Sequence, residues 1–137
     1  MVEKARRRLS RFSPGRIRVS VGDAEAIDAP AEAFDAVFDF GILHHVPDWK
    51  RAVGEIRRVL RPGGRFFFEE VTSRALARWS YRTLLEHPRE GRFTDVEFVA
   101  ELERREIEVG TNFVTRFFGD FVFGVGRRRD TRRERSE

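Results

Sequence analysis

Asp23, the tract Gly41 to His45 and the pair Glu69–Glu70 are the residues whose types and positions in this 137-residue chain could do chemistry. A carboxylate can accept hydrogen bonds from amino or hydroxyl donors. An imidazole titrates near neutrality and can serve as a base. A glycine between such groups lets a ligand approach the backbone. Each of the three sites directly follows a short apolar run: Ile17 to Val21, Phe34 to Phe40, and Phe66 to Phe68. The chain has no cysteine and only three histidines, two of them adjacent. Disulfides and thiolate metal sites are therefore excluded, and no metal site is expected.

The elements that must position these residues alternate between strand and helix signals. Val2 to Phe12 has helical spacing, and Ser13-Pro14-Gly15 ends it. Arg16 to Val21 alternates basic and apolar residues, as an edge strand does. Phe34 to Phe40 is the next strand. Asp48 is a helix N-cap, and the helix runs through Leu60 with Ala52, Ile56, Val59 and Leu60 buried. Pro62-Gly63-Gly64 should then reverse the chain. Arg65 to Val71 is the third strand, and its three consecutive phenylalanines call for cover on both faces, as in a parallel sheet. Thr72 to Glu86 is again helical, with Trp79 and Tyr81 read as packing residues like Trp49. Thr94-Asp95-Val96-Glu97 is a capping box opening a helix that buries Phe98, Val99 and Leu102. Ile107 to Thr115 and Phe117 to Val125 read as an antiparallel closing pair. In α/β sheets of this kind ligands bind beyond the carboxyl ends of the strands, which is where the three sites fall.

One domain, 1–126, is expected, followed by an arginine-rich tail, 127–137, with no apolar residue and expected to be disordered. The net charge of +4 divides into about +9 at the two ends and −5 between them. A nucleic-acid face would carry its cations on the fold among aromatics, so nucleic acid is not an expected partner. No apolar run is long enough to span a bilayer and no signal peptide pattern opens the chain, so a cytoplasmic protein is expected.

Four segments occur in order at family-like intervals: Gly22-Asp23-Ala24-Glu25, Phe34-Asp35-Ala36-Val37, Leu43-His44-His45-Val46 and Arg58-Val59-Leu60-Arg61-Pro62-Gly63-Gly64. Together they resemble the class I S-adenosylmethionine-dependent methyltransferases, type 11 group, which includes quinone-biosynthesis enzymes. The resemblance covers most of 1–126. It implies an α/β fold, a truncated Rossmann-like methyltransferase sheet of parallel strands with crossover helices and a C-terminal antiparallel strand pair. It implies a methyl transfer to a small molecule with S-adenosylmethionine as cofactor. Asp23 would accept from the adenine amino group, with Ala24 and Glu25 against the ring. Phe40 and Gly41 would border the methionine portion. Leu43, His45 and Val46 would face cofactor or substrate, and Glu69 and Glu70 would lie near the substrate mouth. Other roles stay open: Asp23 as a simple turn cap, and Glu69 and Glu70 as a solvated strand end. Only one of His44 and His45 can face inward, and His45 is the candidate substrate-side base; alignment alone, with no essential catalytic residue, is the other mechanism. Asp35 and Asp39 share a face with Val37 under strict alternation, so one is expected at a strand boundary.

Met1 to Arg6 resembles the helix that follows the family's ribose-binding acid. The opening strands and the glycine-rich loop would then have no counterpart here, and Gly124-Val125-Gly126 cannot replace the loop because no helix follows it. The chain alone would then be inactive, or would serve as a non-catalytic interaction module. The bared strand edge would close in one of three ways: Arg16 to Val21 pairs directly with Phe34 to Phe40, two copies join edge to edge as a homodimer, or a partner chain supplies the missing half.

Overall fold

A computed structural model describes residues 2–12, 16–77 and 91–130 of the chain. Helix α1 is Val2–Leu9. Strand β1, Phe34–Phe40, is followed by a 3-10 turn at Leu43–His45. Helix α2, Trp49–Val59, leads straight into strand β2, Leu60–Val71. Helix α3 is Ser73–Ala77 and helix α4 is Asp95–Arg104. Strands β3, Ile107–Glu108, and β4, Phe113–Arg116, precede β5, Phe121–Arg128. The remainder of the expected Thr72–Glu86 helix, including Trp79 and Tyr81, and the end of the tail lie outside the described residues.

The strands form one sheet in the order β1-β2-β5-β3, with β4 also beside β5. β1 and β2 are parallel neighbours, with Val37 opposite Phe66 and Phe40 opposite Glu69. β5 runs antiparallel to β2, with Phe67 opposite Val125 and Val71 opposite Phe121. The expected parallel pair and the antiparallel closure are both present. β5 passes the expected boundary at 126: it runs through Arg128, which is buried and donates to Leu60 O.

Alternation on β2 sends Phe66, Phe68 and Glu70 to one face. That face carries the core, where α2 contributes Trp49, Ala52, Val53 and Ile56 and α4 contributes Phe98 and Leu102. Phe68 meets Phe98 edge-on at 5.3 Å, and Trp49 lies 4.8 Å from Phe93. Both N-caps behave as expected. Asp48 accepts from Arg51 N, and Thr94 and Glu97 each accept the other's backbone N–H. Thr94→Ala should cost about 1 kcal/mol and lower Tm by a few degrees in a calorimetric scan.

Gly124 faces the core from β5, where an added Cβ would stand 2.4 Å from Phe68 Cζ and 2.8 Å from Phe113 Cβ. Gly124→Val should therefore overpack this strand by about 1–3 kcal/mol, read as a lowered urea midpoint.

Three expectations are corrected. Arg16–Val21 forms no strand; its Val19 carbonyl is held by the Arg6 guanidinium, while Ile17 and Val21 are exposed. It does not pair with β1, whose sheet neighbour among the described residues is β2. A segment with one thin apolar face gains little from sheet burial unless an edge and a covering layer both receive it. Second, Pro62-Gly63-Gly64 lies inside β2 rather than reversing the chain. Leu60 to Arg65 spans only Phe34 to Ala36 on β1, so the extra residues bulge outward. Third, the phenylalanine run is covered on one face only. Phe38, Phe40, Phe67, Phe123 and Val125 line an open groove of about 540 Å³ on the other, with Phe38 59% and Phe40 67% exposed.

Candidate functional site

The carboxyl ends of β1 and β2 lie side by side, and the loop after β1 folds over them. Glu70 is the residue that fixes this loop. It is fully buried, and its side chain reaches from β2 under the backbone that follows β1. Its Oε1 accepts from Ile42 N at 2.9 Å and Leu43 N at 2.6 Å. Its Oε2 accepts from His44 N at 3.3 Å and lies 2.7 Å from His44 Nδ1. Leu43 points into the core, 2% exposed, and pins the turn from above. Gly41 begins the turn with φ +68°, a conformation disfavoured for residues with a Cβ, and its N–H donates to Glu69 O.

Asp39 completes a buried acidic pair with Glu70. One of its oxygens accepts from Ile42 N at 3.2 Å; the other, buried, makes no hydrogen bond. Burial, followed by the repulsion of Glu70, pushes the Asp39 carboxyl up to about 8. Burial also raises Glu70, against the pull of the amides it accepts from. Glu70 has the donors and Asp39 has almost none, so the negative charge belongs on Glu70 and the proton on Asp39. Burial lowers His44, an effect that Asp39 partly opposes. A neutral His44 donating from Nδ1 to Glu70 follows.

The remaining expected residues divide into two groups. Asp23 is exposed and caps its own turn: Oδ1 accepts from Glu25 N at 2.8 Å, and its carbonyl accepts from Ala26 N. Ala24 and Val46 pack against the core edge. Glu25 joins this turn to the loop's far end, accepting from Asp48 N through Oε1 and from Arg51 Nε through its carbonyl. Arg58 holds the same segment by donating to the carbonyls of Ile27 and Ala29, while Glu55 accepts from Ile27 N. These contacts bring Asp23 to Glu25 and Gly41 to Val46 to one end of α2. Phe40 and Glu69 are instead on the open sheet face, and both are exposed. His45 is exposed at the loop surface, its ring 4.0 Å from that of His44. Glu70 is neither a solvated strand end nor a group at the mouth. It lies beneath the loop.

Asp39 and His44 are the two site residues that sequence reasoning missed. Alternation did offer a signal, since it placed Asp39 with Val37. The bulge at Phe34–Ala36 resolves the clash by turning Asp35 outward, where it pairs with Arg61 at 2.5 Å. Among the described residues, no group of three or more His, Cys, Asp or Glu could hold a metal ion. No described helix is long and apolar enough to cross a membrane.

A parallel strand pair joined by a crossover helix, with a shaped loop at its carboxyl end, is the arrangement of the nucleotide-binding α/β folds. Residues 1–68, just under half of the chain, match the methyltransferase domain family, and the chain is similar to S-adenosylmethionine-dependent methyltransferases. A ubiquinone/menaquinone biosynthesis C-methyltransferase of Methylobacterium nodulans is 45% identical over 73 residues, 53% of this chain and 29% of that protein. A phthiotriol/phenolphthiotriol dimycocerosates methyltransferase of Mycobacterium tuberculosis is 37% identical over 59 residues, 42% of this chain and 22% of that one. The matched region thus spans under a third of these curated relatives. Among solved structures, a methyltransferase bound to the Haloferax volcanii Trm112 activator superposes with TM-score 0.74 at 16% identity, over 95% of this chain and 68% of that one. A methyltransferase from Thermotoga maritima gives 0.73 at 20% identity, over 94% and 69%. These superpositions establish the fold.

Proposed function

We propose that this chain forms the adenine side of an S-adenosylmethionine-dependent methyltransferase acting on a small-molecule acceptor. The observation that carries the reading is the loop Gly41–Val46, locked by Glu70 beside the Asp23 turn at the carboxyl end of the sheet. The residues fit the adenine portion. Asp23 is exposed and keeps lone pairs beyond its bond to Glu25 N, and Gly41 leaves backbone open to a close approach. The cofactor supplies an electrophilic methyl group when bound. The chain's own part is to hold the ring at Asp23 to Glu25, shape the wall at Gly41 and Val46, and present His45 toward an acceptor. His45 is exposed and placed to take a proton, and alignment serves where the acceptor needs no base.

Calorimetry with S-adenosylhomocysteine tests the reading. Binding by the full chain is expected, and Asp23→Ala should weaken it about tenfold, the worth of one charge-assisted hydrogen bond. Absence of heat would leave a non-catalytic chain.

A second reading is favoured by the edge of β1 that no described strand pairs with, and by the aromatic groove beside it. In it, the chain is an interaction module of methyltransferase fold that pairs with itself or with a chain supplying further sheet and covering helices. Light scattering separates the two, since a module should elute at twice the monomer mass or above. A cytoplasmic setting suits both readings.

A further inference from the structure

The turn between β4 and β5 carries a feature that methyl transfer does not require. Phe117 and Phe118 both adopt the left-handed backbone conformation, at φ 53° and 61°. Bulky residues are rare there, because the Cβ crowds the neighbouring backbone and the conformation is strained. The strain secures no burial: Phe117 is 68% exposed and Phe118 89%. The turn is nevertheless firmly built. Thr72 Oγ1 donates to Gly119 O at 2.6 Å, Thr72 N donates to Asp120 O, and Arg74 donates to Phe118 O at 3.4 Å. Phe117 also rests edge-on against Phe121 at 5.7 Å. The result is a rigid projection with two aromatic rings held out to solvent.

Cations flank it. Arg74 and Arg116 are exposed beside the rings, whereas the neighbouring acid, Asp120, is buried. A convex tip that joins exposed rings to guanidinium groups has no groove for a strand of nucleic acid to follow. Its charge also repels the same tip of a second copy. Both features match the boundary of an anionic bilayer, where rings enter below the headgroups and arginines stay among the phosphates.

We propose that the Phe117–Phe118 turn docks this chain on an anionic lipid surface. Because Phe121 pairs with Val71, the turn lies at the carboxyl end of β2, the same end as the Gly41–Val46 loop. Docking would bring that loop toward the membrane. The inference stands apart from cofactor binding and would survive the failure of that reading.

The test is co-sedimentation of the full chain with vesicles of phosphatidylcholine alone and with phosphatidylglycerol added. The wild type should pellet with the anionic vesicles only. Phe117→Asn/Phe118→Asn removes both rings, and asparagine accepts the left-handed backbone. The variant should melt no lower than the wild type and bind about tenfold more weakly or worse. Arg116→Gln should weaken binding about fivefold, as expected for one arginine near a charged surface. Free inorganic phosphate should not compete. Equal binding by the double asparagine variant, displacement by phosphate, or no pelleting of a cooperatively folded wild type would each overturn the proposal. So would retention on single-stranded RNA that the same variant abolishes while vesicles are ignored.

Discussion

Glu70→Ala is expected to leave the chain unfolded, or too unstable to show a cooperative transition. The side chain accepts from three consecutive loop amides and from the His44 ring, and Glu70, Leu43 and His44 are all buried. Alanine would strand the Leu43 and His44 N–H groups, at about 1–3 kcal/mol each, leave Ile42 N–H only its longer bond to Asp39, and open a cavity beneath the loop. Their sum rivals the roughly 5–15 kcal/mol that separates folded from unfolded domains. Glu70→Gln keeps the shape and one acceptor oxygen but sets an NH2 group against donors. It should fold with a loss of about 2 kcal/mol in urea titration and faster hydrogen exchange at 42–44. Glu69→Ala is the internal control. The same residue type one position away points to solvent on the open face, so its effect should stay within about 0.5 kcal/mol. A Glu70→Ala chain as stable as the Glu69→Ala chain would mean that the loop is held by Leu43 alone.

The contrast between these two glutamates shows what the sequence could reveal and what it could not. Period two requires that adjacent residues on a strand face opposite ways. One of Glu69 and Glu70 therefore had to point with Phe66 and Phe68. Nothing in the pair itself says that this face receives α2 and α4, because that depends on where distant helices pack. The parallel pairing of β1 with β2, the Asp48 cap and the Thr94 capping box were all legible, since each rests on local chemistry or on alternation of elements. Arg16–Val21 was misread because a strand pattern is also compatible with an unpaired extended segment. The difference is made by a neighbour, which the pattern does not contain. Asp39 was obscured by the bulge at Phe34–Ala36, set by the Gly63–Gly64 stretch of the opposite strand. The Asp23 turn was legible as a turn, and its Asx hydrogen bond is the local chemistry that Gly22-Asp23 implies.

Stability should fall as the pH rises from about 4 toward 8, most clearly above pH 6.5, and Asp39→Asn should remove most of that fall. Asp39 is buried, and its carboxyl is pushed from 3.8 up to about 8. Between those values the unfolded chain releases the proton that the folded chain retains. The folded state therefore binds more protons, and stability declines with rising pH across the window. By about 1.4 kcal/mol per pH unit, the decline from pH 4 to 7 is on the order of 3–5 kcal/mol. Glu70, raised as well, acts in the same direction. His44 acts oppositely. Its folded value lies below 6.5, so the unfolded chain binds the extra proton and stability is lost as the pH falls below that point. Below pH 6.5 the His44 trend offsets part of the decline, and above pH 6.5 it leaves Asp39 unopposed. Asparagine cannot ionise, and its amide can donate toward Glu70, which lacks nothing as an acceptor. The Asp39→Asn chain should gain about 4–5 kcal/mol at pH 8 and little or nothing at pH 4, measured as urea midpoints across the range. Equal gains at both pH values would show that the substitution acts through packing. The proton would then sit elsewhere than on Asp39, and the charge on Glu70 would need another explanation than the one its donors provide.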